Sequence, residues 1–188
     1  MAEKFRNKYR IPSARLVGWD YRNDGLYFIT ICCKNRRHYF GKIECGQMIL
    51  TETGQLTEKY LLEIPEHFPF VRLDATIVMP NHLHAIVVID RGDGDCRGVA
   101  CPGGDVACNV STKNPFMASI SPKPGSLSTI LRSFKSAVKK DARTIIPDFD
   151  WQSRFHDHII RDAGSHQRIK KYIENNPRNW DQDKFRDL

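Results

Sequence analysis

The stretch from Leu73 to Ile89, LDATIVMPNHLHAIVVI, decides the fold. Leu73, Ala75, Ile77 and Met79 alternate as one face of a strand, Pro80-Asn81 makes a tight turn, and the segment from His82 to Ile89 returns as a second strand. Strands joined by so short a turn run antiparallel. The apolar run from Ala85 to Ile89 predicts burial on both faces beyond the strand's start. His82 and His84 therefore sit at its mouth, beside the turn. Period-two alternation puts both imidazoles on one sheet face and drives Leu83 into the core on the other.

Working outward, the segment from Leu26 to Cys33 (LYFITICC) is apolar and rich in β-formers, as expected of a buried central strand. A polar turn, Lys34-Asn35-Arg36-Arg37, leads to a strand pair around residues 39–43 and 47–50. Leu56, Tyr60, Leu61 and Ile64 recur at helical spacing, and Pro65 is expected to stop that helix. Leu127, Ile130, Leu131, Phe134 and Val138 mark a strongly amphipathic helix opened by Ser126. Residues 155–161 (FHDHIIR) form a last strand. Ser165 is expected to cap a final helix holding Ile169, Tyr172, Ile173 and Asn176, which Pro177 ends. This order predicts one α+β domain over residues 1–188: a ferredoxin-like, mainly antiparallel sheet with helices packed on one face, and the other face open for a site. Residues 91–125 are rich in glycine and proline and break the pattern, so they read as a flexible insertion. The cysteine spacing inside it, C-x4-C-x6-C, does not match a zinc site.

The chain of 188 residues carries a net charge of +7 with 40% hydrophobic and 27% charged residues. Such a basic surface favours polyanions, nucleic acid first. No apolar stretch approaches the length of a membrane span, so no membrane partner is expected. Met1 to Arg10 lacks the apolar core of a secretory signal, and the six cysteines sit at irregular positions. A reducing cytoplasm without a disulfide framework is the expectation. Cys32 and Cys33 lie in an apolar run and read as small buried hydrophobes. Residues 1–22 interleave cations, Arg10 and Arg15 among them, with Tyr9, Trp19 and Tyr21. Such an arm can track phosphates and stack on bases.

Two convergent imidazoles can bind a divalent metal, each through one ring nitrogen. Tyr172 and Asn176 stand one turn apart on a helix and so point the same way. A phenol is a competent nucleophile once ionised, and an amide oxygen is a hard metal ligand. Each piece also has a plain alternative. An H-x-H can be two solvated polar residues, and Ile169, Tyr172 and Ile173 can form a buried helix face.

Together the pieces resemble a known family. Met79-Pro80-Asn81-His82-Leu83-His84 looks like the histidine–hydrophobe–histidine motif of single-tyrosine (HUH) transposases. Residues 151–161 and the run Tyr172-Ile173-Glu174-Asn175-Asn176-Pro177 look like their C-terminal blocks. The match is best to the REP-associated tyrosine transposases and spans residues 15–90 and 125–180. That resemblance implies a ferredoxin-like fold, Mg²⁺ or Mn²⁺, and cleavage of single-stranded DNA beside a hairpin through a 5′-phosphotyrosine. It implies His82, His84 and Asn176 as metal ligands and Tyr172 as nucleophile. Insertion-sequence relatives usually carry glutamine where Asn176 stands. His156 and His158 are candidates for shaping the site. Arg10, Arg15, Arg36, Arg37, Arg132, Lys135 and Lys139, with Lys140 beside them, are candidate DNA contacts. The resemblance allows a monomer or a homodimer.

Two other readings stay open on sequence. One is a non-catalytic single-stranded nucleic-acid-binding module with aromatics on its central strands. Tyr27 and Phe28 face opposite sides and support it poorly. The other is a metal nuclease that activates water, for which Asp74 and Asp90 are the nearby acids.

Overall fold

The structure is a computed structural model that describes residues 4–5, 8–9, 16, 18–92 and 123–186. Arg10, Arg15 and most of the insertion, with Cys96, Cys101 and Cys108, lie outside the described residues. The elements in chain order are β1 (Lys4–Phe5), β2 (Lys8–Tyr9), β3 (Gly25–Cys32), β4 (Gly41–Glu44), β5 (Gln47–Leu50), α1 (Glu52–Leu62), α2 (Ile64–His67), β6 (Val71–Val78) and β7 (His82–Ile89). Beyond the insertion follow α3 (Leu127–Ile145), β8 (His156–Ile160) and α4 (Ala163–Asn175), then a 3-10 turn over Pro177–Gln182.

The main sheet has the order β6-β7-β3-β8, and every neighbouring pair is antiparallel. With α1 and α3 as crossovers this is β-α-β-β-α-β, the ferredoxin-like arrangement. The strand from His82 to Ile89 is buried at all eight positions. Its odd positions (Leu83, Ala85, Val87, Ile89) join Tyr27, Ile29 and Ile31 of β3 in the main core. Leu61 of α1 and Leu127, Ile130, Leu131, Phe134 and Val138 of α3 cover that face. Each such side chain contributes about 1.5–3 kcal/mol when fully buried.

The opposite sheet face carries a second, smaller core of Ile86, Val88 and Ile160, and α4 closes it with Ile173 and Ile169. The face read as open is therefore roofed in part by the last helix, and that places Tyr172 over the sheet.

Several local expectations shift for identifiable reasons. A bulge at Asp74 breaks the alternation of β6, so Leu73 packs into the main core while Ala75 and Ile77 turn to the second one. Pro65 does more than stop α1, because it sits in the first turn of α2, where its missing N–H costs nothing. The N-cap of α4 is Asp162, whose carboxylate accepts from the backbone N–H of Ser165. Ser126 caps α3 as read, accepting from Thr129. Trp19 and Tyr21 of the proposed stacking arm pack inward. The Trp19 indole donates to the Tyr27 hydroxyl at 3.2 Å, and the Tyr21 ring lies 5.9 Å from that of Tyr27.

The two ends of the insertion meet. Arg91 lays its guanidinium over the Phe70 ring at 4.0 Å and donates to the carbonyls of Gly125 at 2.8 Å and Arg22 at 3.1 Å. Deleting residues 93–122 behind a short Gly-Ser bridge should change the melting temperature by no more than a few degrees. The cut must spare Lys123, whose carbonyl accepts from Thr129 and Ser126 at the start of α3. A fall beyond about 10 °C in calorimetry would show that the insertion packs as part of the domain.

Candidate active site

The site begins with strand alternation. On β7, His82 and His84 point to the same face as Cys32 and Thr30, their partners on β3. Their Nε2 atoms stand 3.1 Å apart. His82 Nδ1 lies 2.8 Å from Asn81 Oδ1, and His84 Nδ1 lies 2.9 Å from Thr30 Oγ1. Phe28 stacks on the His84 ring with centroids 5.2 Å apart.

α4 brings the tyrosine. Its hydroxyl is 3.3 Å from His84 Nε2, and its ring meets Phe28 edge-on at 6.2 Å. Ile169 and Ile173 form the buried stripe of the helix, leaving Tyr172 at the rim, 42% exposed. Burial pushes the Tyr172 phenol above its ordinary value, with Asp183 adding to the rise and a hydrogen bond to Asn176 opposing it. One turn on, Asn176 is 2% exposed, and its Oδ1 is buried with no hydrogen-bond partner. Asn176 stays in helical conformation (φ −56, ψ −43) despite preceding a proline, so its side chain remains on the Tyr172 side of the helix.

The 3-10 turn after Pro177 returns the chain over the histidines. Asp183 Oδ2 comes within 3.9 Å of His82 Nε2, with the carboxylate 4% exposed. The Phe185 ring lies 4.8 Å from that of His82, and Arg36 ties the segment down by donating to the Lys184 carbonyl at 2.9 Å. Among the described residues, His82, His84 and Asp183 form a group able to hold a metal ion, each offering an atom within 4.8 Å of the others. The acid that the water-activating reading sought at Asp74 or Asp90 stands instead at Asp183. Asp74 instead pairs with His166 at 2.7 Å and Lys170 at 3.1 Å, holding α4 to β6.

The donor set, two imidazoles and a carboxylate, fits a divalent cation. Ligands at neighbouring corners of an octahedron with bonds of about 2.1 Å lie roughly 3 Å apart, close to the spacing of the two Nε2 atoms. Burial, the largest cause, holds both histidines down at about 3. Both rings are therefore neutral at pH 7, as metal ligation requires. The orphaned Asn176 oxygen, one helical turn beyond Tyr172, is a further hard donor by its chemistry.

This burial has a pH consequence for the metal-free protein. An unfolded histidine takes a proton near pH 6.5, whereas these folded ones do not until about 3. The unfolded state binds more protons between those values, so stability falls as pH falls through that window. In EDTA, unfolding free energy should drop by roughly 2 kcal/mol from pH 7 to 5.5. A His82→Gln/His84→Gln variant should show a flatter profile. Equal slopes in denaturant titrations would show that other groups drive the loss.

The remaining candidates are spread out. His156 and His158 are exposed on β8, opposite Thr30 and Phe28, two strands from His84. Lys135 donates to the carbonyls of Gln152 at 2.8 Å and Arg154 at 3.0 Å, and Lys139 pairs with Asp150 at 2.6 Å. Both cations thus hold the loop before β8 in place. Arg132 is exposed on α3, and Arg37 is exposed beside the site-covering Arg36. No helix among the described residues is long and apolar enough to cross a membrane.

No protein-family model matches the chain. An uncharacterized protein of Haemophilus influenzae is 40% identical over 178 residues, covering 92% of this chain and 91% of that protein. Among solved structures, a REP-associated tyrosine transposase bound to a REP hairpin superposes with a TM-score of 0.57 at 20% identity, covering 90% of this chain and 74% of that one. At that identity the likeness is one of fold.

Proposed function

We propose that this chain, which belongs to one family with the Haemophilus influenzae protein, cuts and rejoins single-stranded DNA beside hairpins, using Tyr172 as nucleophile and a bound Mg²⁺ or Mn²⁺. Its transposase-like fold is the frame for this reading. The observation that supports it most is the Tyr172 hydroxyl, 3.3 Å from His84 Nε2 within the His82, His84 and Asp183 group. A strand and a helix far apart in sequence bring this phenol and the histidine pair into contact.

The chemistry follows from the side chains. The phenol is held above its ordinary value by burial, so it is a poor nucleophile by itself. A cation at the histidines, the Asp183 carboxylate and the Asn176 oxygen supplies positive field for the phenolate and for the charge building on the phosphate. The tyrosine oxygen bonds to phosphorus as the bond from phosphorus to the 3′-oxygen breaks. The phenol proton passes to water at the exposed rim, and the 3′-oxygen takes up a proton. The products are a 5′-phosphotyrosine and a free 3′-hydroxyl. The phosphotyrosine bond keeps the energy of the phosphodiester, so the reverse attack rejoins strands without a nucleotide cofactor. Arg36, Arg37 and Arg132, with the N-terminal arm, are the proposed backbone contacts.

Asp183 also favours a second reading, a nuclease in which the cation activates water and Tyr172 is a bystander. Incubation with a hairpin-bearing single strand and Mn²⁺ separates the two. The tyrosine reading expects a protein–DNA adduct that survives a denaturing gel. Cleavage without any adduct would overturn it.

A further inference from the structure

Asn81 is fully buried in the turn between β6 and β7, and its side chain makes two hydrogen bonds. Its Nδ2 donates to the Phe185 carbonyl at 2.7 Å, and its Oδ1 lies 2.8 Å from His82 Nδ1. A backbone carbonyl only accepts, so it fixes the amide nitrogen toward the C-terminal segment and the oxygen toward His82. An amide oxygen also only accepts, so the hydrogen of neutral His82 must sit on Nδ1. Its Nε2 is then a bare lone pair aimed at His84 Nε2, 3.1 Å away. Thr30 is different in kind, because a hydroxyl can donate or accept. The Tyr172 hydroxyl, 3.3 Å from His84 Nε2, is of the same kind, so His84 can carry its proton on either nitrogen.

We propose that Asn81 is a positioning residue that locks His82 in the Nδ1–H tautomer and so keeps one metal-ligand lone pair permanently presented. Thr30 lets His84 exchange tautomers. Without a cation, the Nε2–H of His84 donates to His82 Nε2, and the Thr30 hydroxyl donates to His84 Nδ1. A cation held there would take the Nε2 lone pairs of both rings, with the His84 proton then on Nδ1 and donated to Thr30 Oγ1. The net protonation of the ring is unchanged. Two lone pairs then face the same point, and neither ring swings. The inference rests on reading the pair as metal ligands, and it names the groups that make the pair ready for metal.

The test uses the full chain labelled with ¹⁵N, in EDTA, with imidazole nitrogens read by long-range proton–nitrogen spectra. His82 should show a protonated Nδ1 and a bare Nε2, the reverse of the tautomer histidine favours in water. Asn81→Asp keeps the acceptor for His82 and loses the donor to Phe185, whereas Asn81→Ala loses both. The Asp variant should hold the Nδ1–H tautomer and bind Mn²⁺ at least as tightly as wild type. The Ala variant should shift His82 to Nε2–H and weaken Mn²⁺ binding by roughly 10- to 100-fold. Both variants break the Phe185 contact, so a loss in Ala alone isolates the acceptor. An Nε2–H tautomer at His82 in wild type, or unchanged Mn²⁺ affinity in Asn81→Ala, would overturn the inference. If the Ala variant does not fold, the wild-type and Asp tautomers still decide it. Lack of DNA cleavage in a protein with the stated tautomers and Mn²⁺ affinities would sink the functional reading and leave this one standing.

Discussion

Tyr172→Phe is expected to abolish both the covalent adduct and DNA cleavage, by more than roughly a thousandfold. The substitution removes one oxygen. The ring keeps its edge contact with Phe28 and its place at the rim of α4. Melting temperature and affinity for hairpin DNA should therefore stay close to wild type, and Mn²⁺ should still bind. Gel detection of the adduct and a nicking assay on labelled DNA give the answer. A nuclease that uses water would keep cutting, and retained cleavage near the wild-type rate would end the tyrosine mechanism for this protein.

His84→Ala should also stop cleavage, through a different loss. It removes a proposed metal ligand, a ring stacked on Phe28 and the neighbour of the Tyr172 hydroxyl. Mn²⁺ affinity should fall at least about 100-fold, and activity should no longer rise when Mn²⁺ is added to metal-stripped protein. Truncation of a fully buried ring should also cost about 2 kcal/mol of stability. The pair of variants therefore separates by calorimetry with Mn²⁺. One binds the ion and cannot attack, while the other has the attacking group and no ion. Mn²⁺ binding to His84→Ala with wild-type affinity would remove the histidines from the metal site.

Much of this was legible because it depends on periodicity. The alternation along the strand from His82 to Ile89 placed both histidines on one face, and four-residue spacing placed Tyr172 with Asn176. These regularities survive folding because a strand and a helix impose them whatever packs around them. Asp183 was not legible. It follows Pro177, where the chain leaves the helix, and only the 3-10 turn brings its carboxylate back to His82. The bulge at Asp74 was hidden for a related reason, since one extra residue reverses the facing of everything before it. The indole of Trp19 looked like a base-stacking group until its partner, the hydroxyl of Tyr27, was in view. Asp162 outcompeted Ser165 as cap because it stands one step before the first helical turn, where its carboxylate also meets the helix dipole.

The closed neck at Arg91 and Gly125 makes the region between them a socket. Joining two points already in contact leaves only the closure entropy of whatever lies between, and that grows by about 0.6 kcal/mol for each doubling of length. Evolution can lengthen, shorten or replace this segment almost without thermodynamic penalty, and so can an experimenter. A fluorescent protein spliced in at residues 93–122 would ride on the domain at the β7–α3 junction, leaving both chain ends free. That would turn the protein into a reporter of the DNA encounters proposed for it.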